Sequence, residues 1–145
     1  MKITLEQASL PENEIHLRGD ITGPEITALL QYLRRTGTSG KIIAYREEEQ
    51  FLLNPEEIVY LETGGTRVSI YTAKEVYESK LKLYELKEAL SGHPFSQISK
   101  STLVNIHFVK SIQAEFSGNY RIRLKNRPES LTISRKYYPE FRSKI

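Results

Sequence analysis

The spacing of hydrophobic residues changes several times along this chain, and each change predicts an element. Ile3 and Leu5 alternate with Lys2, Thr4 and Glu6, and Ile15 and Leu17 alternate across "EIHLRG", the period of two that a half-buried strand requires. Over "TGPEITALLQYLRRTG" the period becomes helical. Ile26, Leu29, Leu30 and Leu33 fall at i, i+3, i+4 and i+7, with Pro24 suited to a first turn and Gly37 to a stop. "KIIAYR" returns to a strand and "EEE" marks a solvated turn. "IVYLE" and the strictly alternating "TRVSIYT" flank the tight turn "TGG", and "KLKLYELKEALSG" restores helical spacing through Leu83, Leu86 and Leu90. Further on, Ile112, Ala114 and Phe116 alternate, "SGN" reads as a hairpin turn, and Tyr120, Ile122 and Leu124 alternate against Arg121, Arg123 and Lys125. "LTISRKYYPEFRSKI" is a last strand leading into a terminal helix begun near Pro139.

The resulting order is β-β-α-β followed by β-β-β-α-β-β-β-β-α. Runs of strands with few helices, and no regular βαβ alternation, make an α+β chain that is mostly β, with antiparallel sheets. Two units are expected: an accessory N-terminal β-β-α-β unit over residues 1–46, and a main domain over residues 47–145. One stretch fits neither period. "FSQISKSTLVNIHFVKSI" alternates at first, then runs into the apolar "TLVNIHFV", so that Ser99, Lys100 and Ser101 lie against a segment that belongs in a core.

Composition narrows the classes. A chain of 145 residues with 39% hydrophobic content can bury a core, and the absence of cysteine excludes disulfides, thiolate metal sites and thiol nucleophiles. No apolar run approaches the roughly 20 residues of a spanning helix, and "MKITLEQASLPENE" has no apolar signal core, so a cytoplasmic location is expected. The net charge of +3 is unevenly spread. Residues 1–79 hold 8 Lys/Arg and 13 Asp/Glu, a balance of −5, whereas residues 80–145 hold 13 and 5, a balance of +8. A basic half points to a polyanion.

Catalytic patterns are missing. "GTSGK" has Arg35 where a phosphate loop needs its first glycine, and a strand follows Lys41 where a helix is required. His16, His93 and His107 stand apart without metal-ligand spacing, His107 reading as partly buried, and the acidic runs at Glu47–Glu49 and Glu56–Glu57 fall in turns. No cofactor and no small-molecule substrate are implied, and the chain reads as a non-enzyme. The basic half is more informative. Arg121, Arg123, Lys125 and Arg127 share one face of a strand and its exit, about 7 Å between successive members, close to the spacing of phosphates along one DNA strand. Equally, this is what the solvated face of a half-buried strand looks like. Arg135 and Lys136 lie at a strand-to-helix junction, Lys100 sits between Ser99 and Ser101, and Thr66 and Arg67 follow Gly65 in a turn. Long donors and hydroxyls on loops are the means of touching bases and phosphates.

Four segments, in order and spacing, carry a family resemblance from about Phe51 onward: "EEIVYLETGGTRVSIYT", the helix "LKLYELKEAL", "HPFSQISKSTLVNIHFVKSI" and "LTISRKYYPEFRSKI". They resemble the LytTR family, the bacterial DNA-binding domain of LytR- and AgrA-type response regulators. The resemblance implies small antiparallel sheets whose loops at one end enter DNA grooves without a recognition helix. By position, the base-contacting loops would be the turn at Gly64–Arg67, the trio Ser99, Lys100 and Ser101, and Arg135. Relatives carry "RxHRS" or "CHNS" in the second of these, so Lys100 replaces an Arg or Asn; a point charge sets a different readout from a bidentate group. The N-terminal residues lack the acidic cluster of a receiver domain, so the chain resembles stand-alone LytTR regulators. One such domain covers few base pairs, so two copies on a repeated site are expected, and the resemblance also implies a small membrane protein as restraining partner. A rival reading places the function in the N-terminal unit, as a protein- or ligand-binding module on a basic scaffold. RNA binding through Tyr71, Tyr77 or Tyr120 is a lesser alternative.

Overall fold

The computed structural model describes residues 2–11, 13–37 and 40–145. Its ten strands form two antiparallel sheets. The first helix, α1 (Pro24–Gly37), has the bounds its proline and glycine predict. β1 (Ile42–Arg46) and β2 (Glu49–Leu53) then form a hairpin; a 3₁₀ turn at Pro55–Glu57 leads into β3 (Ile58–Gly64), β4 (Arg67–Thr72) and β5 (Val76–Ser79). After α2 (Leu83–Ala89) come β6 (Phe95–Ser99) and β7 (Thr102–Asn105), and these complete a seven-stranded sheet of order β2-β1-β5-β4-β3-β7-β6. A second 3₁₀ turn, Ile106–Phe108, passes the chain to the three-stranded sheet of β8 (Val109–Ala114), β9 (Tyr120–Leu124) and β10 (Ser130–Ile133), and the chain ends in α3 (Tyr138–Ser143).

The large sheet separates two cores. On one face Ile42, Leu53, Leu61, Val68, Ile70 and Leu103 are buried with Leu86 of α2 and Leu90 just past its end. On the other, Val59, Tyr60, Ile98 and Val104 meet Ile122, Leu124, Leu131 and Ile133 of the small sheet and Phe141 of α3. A bulge in β3 between Ile58 and Tyr60 lets Val59 and Tyr60, adjacent in sequence, both join the second core. The odd stretch noted above is thereby explained. It is a hairpin, β6 and β7, packed between both cores, followed by a 3₁₀ turn that Asn105 caps. The Asn105 amide donates to the Ile58 carbonyl at 2.9 Å and its oxygen accepts the His107 N–H at 3.1 Å.

The mostly β, antiparallel architecture is as expected, but the N-terminal unit differs. No strand forms among the described residues before α1; Ile3 and Leu5 are 79% and 91% exposed. Alternation makes a segment suitable for one face of a sheet, but a strand also needs a neighbouring edge, and an isolated two-stranded hairpin is marginal in water. The strand "KIIAYR" does form, as β1, and belongs to the main sheet through its pairing with β2 and β5. The α1 stripe of Ile26, Leu29, Leu30 and Leu33 is half-buried and belongs to neither core. The large sheet also has one strand more than expected before α2, and the chain one more after it, because Val76–Ser79 and the two arms of the odd stretch each pair as separate strands. His107 is exposed rather than partly buried, since its 3₁₀ turn runs along the surface.

Candidate nucleic-acid interface

Short connections bring the loop residues to one end of the molecule. β3 and β7 pair with Glu62 opposite Thr102, and one residue further on the Thr63 N–H donates to the Ser101 carbonyl at 2.8 Å. The β3–β4 turn and the β6–β7 turn therefore lie side by side. At the far side of β6, the Ser134 N–H donates to the Ile98 carbonyl, also at 2.8 Å, which brings the β10–α3 junction to the same end. The β8–β9 turn joins them, because the Arg135 N–H donates to Asn119 Oδ1 at 3.1 Å.

In the β3–β4 turn, Gly65 adopts φ +66, a left-handed conformation that glycine takes without the backbone strain of other residues, and Thr66 is exposed beside it. Arg67 is exposed too, but its guanidinium donates to Glu78 at 2.9 Å across to β5. In the β6–β7 turn, Lys100 is the exposed residue. The Ser99 and Ser101 hydroxyls lie 3.2 Å from each other, and Ser99 Oγ also accepts the Ser101 N–H at 3.2 Å. They brace the turn from which Lys100 projects. Arg135 and Lys136 occupy the turn that opens α3 and are exposed, with Lys136 5.8 Å from the Tyr137 ring centre.

Arg121 and Arg123 of β9, with Lys125 just past its end, line the exposed face of the small sheet, alternating with buried Ile122 and Leu124. Arg121 lies nearest the turn end and pairs with Glu115 at 3.1 Å, while Arg123 and Lys125 recede from it by about 7 Å each. Among the described residues, Lys100, Arg123, Lys125, Arg135 and Lys136 have no carboxylate partner.

Arg127 departs from the expected row. The strand ends at Leu124, and Asn126 at φ +66 reverses the chain, so the alternation that holds through Lys125 no longer applies. Arg127 Nε donates to Glu129 at 2.6 Å, its Nη1 to the Thr72 carbonyl at 2.7 Å, and its guanidinium lies 5.1 Å from the Tyr71 ring centre. Glu129 in turn accepts the Tyr60 hydroxyl at 2.8 Å. This clasp joins the two sheets. Burial pushes the Glu129 carboxyl up, but its own backbone N–H, Arg127 and Tyr60 outweigh that and hold it below the ordinary carboxylate range. Burial, with Glu129 second, raises the Tyr60 hydroxyl. The sequence carried one signal for the clasp, the change from strand alternation to "NRPES" after Lys125.

The tyrosines considered for base stacking have partners within the fold. Tyr71 stacks on Tyr60 at 4.1 Å, Tyr77 packs against Phe51 at 5.1 Å, and Tyr120 stacks on Tyr138 at 3.6 Å.

Residues 48–145 match the family model of the LytTr DNA-binding domain. The chain belongs to that family. A sensory transduction protein LytT of Oceanobacillus iheyensis is 35% identical over 97 residues, 66% of this chain; the chain spans 39% of that protein's length. A relative in Staphylococcus aureus, named as an uncharacterized HTH-type transcriptional regulator, is 24% identical over 146 residues, covering 100% of this chain and 98% of its own. A LytTr DNA-binding domain from Bacillus cereus matches with TM-score 0.68 at 18% identity, over 74% of this chain and 97% of that one, which speaks for the fold alone. No two α-helices are consecutive among the described residues, and the turns between strands gather at one end. No described helix is long and apolar enough to cross a membrane.

Proposed function

We propose that this protein is a bacterial transcriptional regulator of the cytoplasm that binds duplex DNA sequence-specifically through the turns at one end of its sheets. The observation that carries this reading is the convergence of the β3–β4, β6–β7 and β10–α3 turns, fastened by the Thr63–Ser101 and Ser134–Ile98 hydrogen bonds, in a chain that belongs to a DNA-binding family. Lys100 and Arg135 project from two of these turns and read base edges. Thr66 and Arg67, with Gly65 at the tip, reach a neighbouring groove, where Arg67 exchanges Glu78 for a phosphate or base. Arg121, Arg123, Lys125 and Lys136 neutralise phosphates, while Ser99 and Ser101 hold Lys100 in place. Three turns cover few base pairs, so two copies occupy a repeated site.

The family match covers the basic half itself, which favours DNA binding over the rival in which that half is only a scaffold. Gel-shift titration against duplexes enriched from a random pool tests the reading. Arg135→Ala is expected to weaken binding by about 1–3 kcal/mol. Unchanged affinity in that variant rejects the assignment of Arg135, and flat salt dependence of the wild type rejects DNA binding through these cations.

A further inference from the structure

Arg135 begins a helical turn: both the Tyr137 and the Tyr138 N–H donate to the Ser134 carbonyl, at 2.8 and 3.1 Å. The first N–H groups of such a turn have no partner inside it. Arg135 finds one across the fold, in Asn119 Oδ1 at 3.1 Å. Asn119 is itself held by the β8–β9 turn: its N–H donates to Ser117 Oγ at 3.3 Å, and its carbonyl accepts the Glu115 N–H at 2.9 Å. The neighbouring residue shapes the Arg135 side chain. Gly118 has φ +88, and a Cβ at that position would lie 3.2 Å from Arg135 Cδ and 3.3 Å from a terminal guanidinium nitrogen. The arginine stem thus runs across the tip of the turn where a glycine leaves it room. On the other side of Asn119, Tyr120 stacks on Tyr138, the last residue of the same helical turn, at 3.6 Å.

We propose that Asn119 is a positioning residue for DNA recognition: with Gly118, it fixes the backbone of Arg135 and the direction in which the guanidinium leaves the domain. The inference rests on Arg135 meeting DNA, as put forward above. Its physical content is pre-organisation. An arginine whose backbone and stem are already held loses less freedom when it docks, and only an arginine held at one angle can discriminate one base edge from another. A mere cap on the turn would support the fold but leave base preference untouched.

The experiment uses the full chain and duplexes enriched from a random pool, comparing wild type with Arg135→Ala, Asn119→Ala, the double variant and Asn119→Asp. Arg135→Ala is expected to weaken binding about 5- to 150-fold and erase preference at one base position. Asn119→Ala is expected to weaken binding about 3- to 30-fold and relax preference at that same position, with under about 2-fold added effect once Arg135 is alanine. Asn119→Asp keeps the acceptor oxygen, so the base profile is retained while its added charge weakens all sequences alike. The proposal is overturned if Asn119→Ala weakens enriched and random duplexes equally and its effect adds in full to that of Arg135→Ala. Loss of the base profile in Asn119→Asp overturns it as well. Wild-type binding by Arg135→Ala is a different failure, that of the functional reading beneath it. If thermal melts show Asn119→Ala unfolded, Gly118→Ala decides: it keeps the Asn119 side chain but crowds the Arg135 stem and strains a backbone at φ +88, and an unchanged base profile there rejects the proposal.

Discussion

Arg127→Ala separates two arginines that look alike in the sequence. Arg127 is a structural clasp and its side chain is only 16% exposed, whereas Arg123 faces solvent. Truncation removes the hydrogen bond to the Thr72 carbonyl and the ion pair with Glu129, and uncovers one face of Tyr71. Hydrogen bonds involving a charged group contribute about 1.5–3 kcal/mol, and a guanidinium over an aromatic face about 0.5–1 kcal/mol. Glu129 keeps the Tyr60 hydroxyl and is 30% exposed, so part of the loss is recovered by that bond and by water. The expected net destabilisation is about 2–4 kcal/mol. For a domain of this size that lowers Tm by roughly 8–15 °C. Urea unfolding at neutral pH measures it directly, and Arg127→Lys should regain under half, because an ammonium cannot reproduce the two-pronged geometry. A loss below about 0.5 kcal/mol would refute the clasp. So would a salt dependence of DNA binding reduced as in Arg123→Ala, since that outcome would place Arg127 on the DNA.

Three further outcomes follow from the same geometry. Arg123→Ala and Lys125→Ala should each lower the slope of log affinity against log salt by about 0.9 while leaving the urea midpoint unchanged; an unaltered slope removes that residue from the phosphate contacts. Glu129 titrates lower in the folded state than in the unfolded, so its stabilisation is complete above its ordinary value of 4.5 and is lost as pH falls through the folded one. Glu129→Gln should therefore flatten the acid limb of a stability–pH curve, and an equally steep limb in the variant contradicts this. In the β1–β2 turn, Glu47 and Glu48 both take positive φ, at 50° and 68°, where side chains are strained. Replacing the pair by Asn-Gly should raise stability by about 1–2 kcal/mol, and an unchanged or lower urea midpoint argues against strain there.

Legibility in the sequence followed the range of the interactions involved. α1 and most strands from Ile42 to Ile133 are legible because burial repeats within each segment, whereas Val76–Ser79 and the split of the odd stretch into β6 and β7 are not; the turns at Gly65 and Gly118 are legible because their conformation is local. Lys100 and Arg135 are identifiable from the residues as loop positions, but only the family resemblance sets them at one end, since that depends on backbone bonds from Thr63 to Ser101 and from Ser134 to Ile98. The expected strands at Ile3–Leu5 and Ile15–Leu17 did not form because alternation describes one segment and says nothing of a partner edge. Arg127 falls in one row with Arg121, Arg123 and Lys125 when the period of two is continued past Lys125, although "NRPES" breaks the alternation there and the positive φ at Asn126 redirects the chain inward. Asn119 is a turn residue by composition, and its bond to Arg135 spans 16 positions.

The fastening of the turn end has a consequence for how such a protein changes over generations. The two bonds that gather the turns, Thr63 to Ser101 and Ser134 to Ile98, run from main-chain amide to main-chain carbonyl. Any residue except proline supplies the amide, and every residue supplies the carbonyl. The tips at Thr66, Lys100, Arg135 and Lys136 are exposed and belong to neither core. If the tips read DNA as proposed above, substitution at a tip redirects the protein to a different operator at little cost in folding, and duplicated copies diverge in target one turn at a time. Under the proposed function, Lys100, in place of the Arg or Asn that the family resemblance leads one to expect, is a change of that kind.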